Sequence, residues 1–228
     1  MTRLVALDTS SVWGGVALLE GVPGGGSRLV AEAGLLLTDS HAAHVLALLE
    51  ALLAEAGWPR SELDGYAAAR GPGSFTGIRM ALGTVRGLGL ASSRPCLGIG
   101  TLDAMAEAFG PAEGERVPVL PAGRGDFFAA RFDPVASPPA TVVEPWLGPP
   151  SLSLEGGRGE PVVFGPGAQS AVAALGGGGG WRGIARRAPT SVAAAVGRLA
   201  LARLEGGARD GEGLSPLYLR PPDAELPR

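Results

Sequence analysis

Lysine is missing from all 228 residues, and every one of the 19 basic side chains is arginine. That absence excludes a phosphate-loop lysine, a Schiff-base lysine and a kinase-type lysine together. Asparagine is missing too, and glutamine occurs once, at Gln169. With 38 glycines and 20 prolines this fits a GC-rich genome, a hot habitat that disfavours labile amides being a second cause. The single cysteine, Cys96, can form no internal disulfide, which fits a reducing compartment. Glu50 and Glu55 interrupt the longest apolar run before it reaches the roughly 18 residues of a membrane span. The N-terminal apolar stretch Leu4 to Leu7 stops at Asp8, too short for a signal peptide. A net charge of −3 and a pI near 5.5 leave no basic surface for gripping nucleic acid alone. The expectation is a soluble, cytoplasmic protein.

What is present is apolar: 46% hydrophobic against 18% charged residues, enough core for one large domain or two lobes. Leu4–Leu7, Gly15–Leu19 and Arg28–Leu37 read as a three-stranded antiparallel meander. Thr38, Asp39 and Ser40 offer N-cap chemistry to a helix from His41, which Gly57 and Pro59 end. A strand over 66–69 enters the glycine-rich loop Gly71-Pro72-Gly73-Ser74-Phe75-Thr76-Gly77, and a helix follows from about Ile78. Pro95–Ile99 is a strand, with Thr101 capping a helix over 102–109. The polar break at 110–115 divides the chain into lobes 1–109 and 110–228, the C-terminal helix or tail being free to pack back on the first lobe.

In the second lobe, Val117–Leu120 and Phe127–Phe132 form a hairpin about Ala122–Gly125. The Pro-rich stretch 134–150 reads as loop with a strand at Thr141–Val143, and Pro161–Phe164 is another strand. Gly165-Pro166-Gly167 leads into a helix over 168–175; Gly176–Gly180 is a connector, and Thr190 caps a last helix. Gly-Pro-Gly alone is common in such a composition, but strand, Gly-Pro-Gly, helix after a hairpin occurs twice. Two lobes of one plan make a duplicated α/β architecture, with a ligand expected in a cleft between them.

The loop at 71–77 fails the Walker pattern for want of lysine, and misses the dinucleotide pattern because Thr76 stands where the third glycine belongs. Ser74, Thr76 and Arg79 still compose a credible anion cradle with Gly71 and Gly73, and Asp8, with Thr9 and Ser10 beside it, could hold a metal ion near a phosphate. The bland alternatives are a tight turn that needs glycine and an aspartate that caps its own turn. His41 and His44 share a helix face but have no third ligand placed beside them, so no metal site is assigned. In the helix after the loop, Ile78, Leu82 and Val85 form an apolar stripe, and Gly83, Gly87 and Ala91 a small-residue stripe. Intramolecular packing and a subunit interface both explain such glycines. Ile78, Met80, Gly83, Thr84, Gly87, Leu88 and Ala91 are the interface candidates.

RGPGSFTGIRMALGTVRGLGLA closely resembles the TsaB (YeaZ) family, whose hallmark is RGPGSFTGLR followed by a helix; ALDTSS, GIGTLDAMAEA and PLYLRPPDAE carry the likeness over nearly the whole chain. The resemblance implies a two-lobed duplicated actin, sugar-kinase and Hsp70-like (ASKHA) fold, mixed sheets flanked by helices. It also implies a non-catalytic scaffold or activator in the machinery that makes N6-threonylcarbamoyladenosine beside the anticodon of tRNAs. Its implied partners are a second copy, a TsaD-like catalytic subunit and a TsaE-like ATPase, with tRNA met only through the complex and no membrane. ATP and metal belong to those partners, so no cofactor of this chain's own is expected. Under the resemblance the eight loop residues Asp8, Thr9, Ser10, Gly71, Gly73, Ser74, Thr76 and Arg79 are vestigial. His41-Ala42-Ala43-His44 lacks the His-x-Glu-x-His of TsaD, and Pro121 replaces the aspartate that opens the family's second-lobe turn. Competing readings are a Mg-nucleotide-dependent ATPase or phosphotransferase of the same fold and, behind it, a metallopeptidase.

Overall fold

The computed structural model describes residues 1–36, 41–150, 161–175, 191–208, 211 and 213–219, without the side chains of 41–43. The caps expected at Thr38–Ser40 and Thr190, the connector at Gly176–Gly180 and the tail from 220 lie outside these residues. The chain divides into two compact units: residues 1–104 with 190–216, and 105–189 with 217–228.

In the first unit, β1 (Arg3–Asp8), β2 (Trp13–Gly21), β3 (Ser27–Leu36), β4 (Gly65–Ala69) and β5 (Cys96–Ile99) form a sheet of order β3-β2-β1-β4-β5. The meander β1–β3 is antiparallel, while β4 and β5 run parallel to β1. Central strands covered on both faces read as continuous apolar runs, and β1 and β4 are buried almost throughout. The edge strand β3 alternates. Val5, Leu7, Val16, Leu18, Tyr66 and Ala68 share a core with α1 (His41–Ala56) and α2 (Phe75–Ser92). Strand alternation turns Leu4, Ala6, Ala17 and Leu19 the other way. There the alanine-rich α5 (Ala193–Glu205) closes on them, and Gly197 lies so near Leu19 that any Cβ would collide with it.

In the second unit, β6 (Arg116–Gly123), β7 (Asp126–Phe132), β8 (Thr141–Gly148) and β9 (Val162–Phe164) follow the order β8-β7-β6-β9. Again the first three are antiparallel and the last runs parallel to the first. α4 (Ala168–Ala174) packs Ala168 and Ala171 on Val117, Val119 and Phe127. The plan of the first sheet is thus repeated without a fifth strand, and the duplicated two-sheet α/β architecture is the one expected.

Several boundaries differ from the sequence reading. α2 starts at Phe75, not Ile78, because Ser74 is its N-cap. β8 extends to Gly148, through residues read as loop. The division between units falls after Ala104, inside α3 (Thr101–Phe109), rather than at 109/110, while α5 returns to the first unit, as the sequence reading allowed. The reason is burial: α5 carries a run of small residues that fits the otherwise bare face of the first sheet, a match between segments far apart in sequence.

Candidate functional site

β1 delivers Asp8 to the start of a turn, and β4 delivers the glycine loop beside it. The two meet backbone to backbone. Ser74 N donates to Ser10 O at 2.7 Å, and Thr9 Oγ1 donates to Gly77 O at 2.7 Å. Ser74 Oγ accepts from Gly77 N at 3.2 Å, which caps α2. A Cβ on Gly73 would run into the Ser10 carbonyl and one on Gly77 into the Thr9 carbonyl, so both glycines are required by protein backbone. Gly71 takes a positive φ of 108° and accepts at its carbonyl from Thr101 N at 2.8 Å.

Asp8, Thr9, Ser10, Gly71, Gly73 and Ser74 therefore do come together. Thr76 is exposed on the first turn of α2, and Arg79 lies with its guanidinium 3.9 Å from the centre of the Phe75 ring. Asp8 is only 2% exposed. Its Oδ1 accepts from Ser10 N at 3.0 Å and Ser10 Oγ at 2.6 Å, and its Oδ2 from Val192 N at 3.1 Å. Burial pushes the Asp8 carboxyl above its usual range, against the pull of those three bonds. Both oxygens are committed to the turn and to the start of α5. This is the geometry of an aspartate that fixes its own turn.

α2 has two different faces. Ile78, Ala81, Leu82 and Val85 are buried, and a Cβ on Gly89 would collide with Cys96. Opposite them Gly83 and Gly87 have nothing within 4 Å of a Cβ, and Leu90 is 85% exposed and Phe75 39%. Of the interface candidates, Gly83, Gly87 and Ala91 lie on this open face. Met80, Thr84 and Leu88 are half-buried at its flanks, Met80 and Leu88 packing against the core. Ile78 is a correction: at 1% exposed it belongs to the core stripe with Val85 and is unavailable to a partner.

Leu90 and Phe75 were missed in the sequence, although Leu90 follows Gly83 and Gly87 at seven and three residues and so shares their helical face. Val192 carried no signal, being 184 residues from the carboxylate it meets. Thr101 does not cap α3, since its hydroxyl has no partner. His44 is exposed, the His41 side chain lies outside the described residues, and among those residues no three His, Cys, Asp or Glu side chains converge as metal ligands.

A family model described as TsaD: tRNA N6-adenosine threonylcarbamoyltransferase matches residues 36–140. The chain is 37% identical over 105 residues to the tRNA threonylcarbamoyladenosine biosynthesis protein TsaB of Haemophilus influenzae, covering 46% of this chain and 42% of that protein. Against TsaB of Escherichia coli it is 31% identical over 105 residues, covering 46% and 43%. Over this stretch the chain is similar to proteins of the TsaB (YeaZ) family. Its matches span less than half the length of these two curated relatives. The solved structure of YeaZ from Pseudomonas aeruginosa is 23% identical with a TM-score of 0.75, over 96% of this chain and 100% of that one. That likeness shows a shared fold. Among the described residues no helix is long and apolar enough to cross a membrane.

Proposed function

We propose that this chain is a non-catalytic scaffold or activator of the cytoplasmic machinery that forms N6-threonylcarbamoyladenosine next to the anticodon of tRNAs. The open face of α2 is the surface that receives a TsaD-like catalytic subunit, or a second copy of the chain. One observation carries this reading. Four glycines sit inside one helix; Gly77 and Gly89 are required by neighbours within the chain, whereas Gly83 and Gly87 meet nothing within 4 Å. Glycine in a helix interior costs about 1 kcal/mol against alanine, and two that serve no contact of the chain itself fit an approaching helix. Exposed Leu90 on the same face supplies apolar area to bury. The names of the TsaB relatives support the tRNA-modification assignment. A TsaE-like ATPase joins the assembly, ATP and metal stay with the partners, and tRNA is met through the complex.

The competing reading, a Mg-nucleotide enzyme, needs Asp8 at a metal and the glycine loop at a phosphate. Asp8 spends both oxygens within the protein, and the loop spends Gly73 and Gly77 on the Thr9–Ser10 backbone. The decisive experiment mixes the purified chain with its TsaD-like partner and follows complex formation and tRNA modification. Modification should depend on the chain, and Gly87→Arg should abolish association while leaving the melting temperature of the isolated chain unlowered, since arginine is the better helix former. Unchanged modification when the chain is left out, or full association by Gly87→Arg, removes the proposal.

A further inference from the structure

The carboxyl ends of the parallel strands β4 and β5 hold two polar groups with no work inside the protein. Arg70 follows β4 directly, and its Nε is buried without a hydrogen-bond partner. Thr101 opens α3 just beyond β5; it is 2% exposed and its Oγ1 is also unpartnered. The backbones of these residues are tied together, Arg70 N donating to Ile99 O at 2.9 Å and Thr101 N to Gly71 O at 2.8 Å. Both side chains therefore leave from one small region of the first unit. A buried polar atom left unsatisfied costs on the order of 1–3 kcal/mol, so two on backbone segments tied to each other call for a partner.

The chemistry of the two groups narrows that partner. A guanidinium only donates, and a threonine hydroxyl can donate. They stand where open α/β sheets receive ligands, outside the carboxyl ends of parallel strands, and at the first turn of a nine-residue helix whose leading amides have no intrahelical acceptor. An acceptor-rich oxyanion answers all three. Asp103, in the same first turn, supplies the opposing charge: its carboxylate lies so close to Gly100 that a Cβ there would collide with it. That carboxylate repels any oxyanion, and most strongly one with several charged groups, so a single phosphate is the least opposed.

We propose that Arg70 and Thr101, at the entry to the glycine loop and apart from the open face of α2, form a binding site for one phosphate group of a small molecule. Arg70 grips two phosphate oxygens in its fork, and Thr101 Oγ1 donates to a third. The test is thermal unfolding and calorimetric titration of the full chain with inorganic phosphate, against sodium chloride at equal ionic strength. Phosphate should raise the melting temperature of the natural protein, and Arg70→Gln and Thr101→Val should each weaken binding about tenfold or more. In phosphate-free buffer Thr101→Val should melt no lower than the natural protein, because it removes a buried hydroxyl that has no partner. This variant also carries the test should Arg70→Gln fail to fold. A parallel titration with a nucleoside diphosphate identifies the source: tighter binding with the same sensitivity to both variants assigns the phosphate to a nucleotide, and equal or weaker binding assigns it to free phosphate. No stabilisation by phosphate, stabilisation equal in all three proteins, or a clear loss of stability in Thr101→Val without phosphate would each overturn the site.

Discussion

Each unit of this molecule buries a charged residue at one end of its first strand, Asp8 in β1 and Arg116 in β6, and these two have opposite signs. In the first unit it is Asp8, which receives two donors from Ser10 and a third from Val192. In the second it is Arg116, 1% exposed, which donates to the carbonyls of Ala106, Gly110, Asp133 and Ala136 at 2.7–3.2 Å. Burial moves both toward neutrality, raising the aspartate and lowering the arginine. Only the aspartate can reach neutrality at an accessible pH. The arginine is a permanent charge tying the end of α3 to the loop after β7, whereas the aspartate is a titratable one tying its own turn to α5. The same duplicated plan thus hardens its halves by different chemistry. The glycine loops differ likewise: a Cβ on Gly73 or Gly77 would run into a backbone carbonyl, whereas one on Gly167 would stand 3.0 Å from Phe127 and Val119 side-chain atoms and 3.1 Å from the Val119 carbonyl oxygen.

The strongest challenge to this comparison is Arg116→Ala, which strands four carbonyls at once. It should destabilise the second unit by ~4 kcal/mol, read as an earlier urea transition that is nearly independent of pH. An equal loss at every pH for Arg116→Ala and a pH-dependent one at Asp8 would establish the contrast. Next in size, Gly77→Ala should cost ~3 kcal/mol, since the colliding atom is a carbonyl of the opposing turn, while Gly167→Ala should cost ~1 kcal/mol because one of its neighbours is a ring that can tilt. Urea midpoints of the two variants, measured together, decide whether the first loop is the tighter one. The smallest effect belongs to Asp8→Asn. Because the folded carboxyl titrates above its ordinary value of 3.8, the native state holds the extra proton between that value and its raised one. Stability therefore falls as pH rises through this window and is level above it. Asp8→Asn should flatten the slope and leave neutral-pH stability within ~1 kcal/mol of the natural protein.

Much of the fold was legible because it rests on local patterns. The apolar runs at Leu4–Leu7 and Tyr66–Ala69, the glycine at 57 with its φ of 64°, and the repeated strand, Gly-Pro-Gly, helix all appear where the residues placed them. Of the loop residues, Asp8, Thr9, Ser10, Gly71, Gly73 and Ser74 meet while Thr76 and Arg79 stand apart, and a glycine that admits a phosphate and one that admits a carbonyl look alike in a sequence. Of the interface candidates, Gly83, Gly87 and Ala91 are exposed and Met80, Thr84 and Leu88 half-buried. Ile78 was included because it is apolar and adjacent, and excluded by the helix's rotation, which turns it inward with Val85.

Composition and pattern alone determined the missing lysine chemistry, the duplicated α/β plan and the helix that carries Gly83 and Gly87. These depend on which residues are present and on their spacing within one element. Tertiary structure decided the rest: that α5 returns to the first sheet, that Asp8 is answered by Val192, and that Arg70 Nε and Thr101 Oγ1 are buried without partners on segments whose backbones are bonded to each other. Each of those is a meeting of segments distant along the chain. Such meetings are selected by shape and by the cost of leaving a buried polar group unpaired, and neither is written in the order of residues.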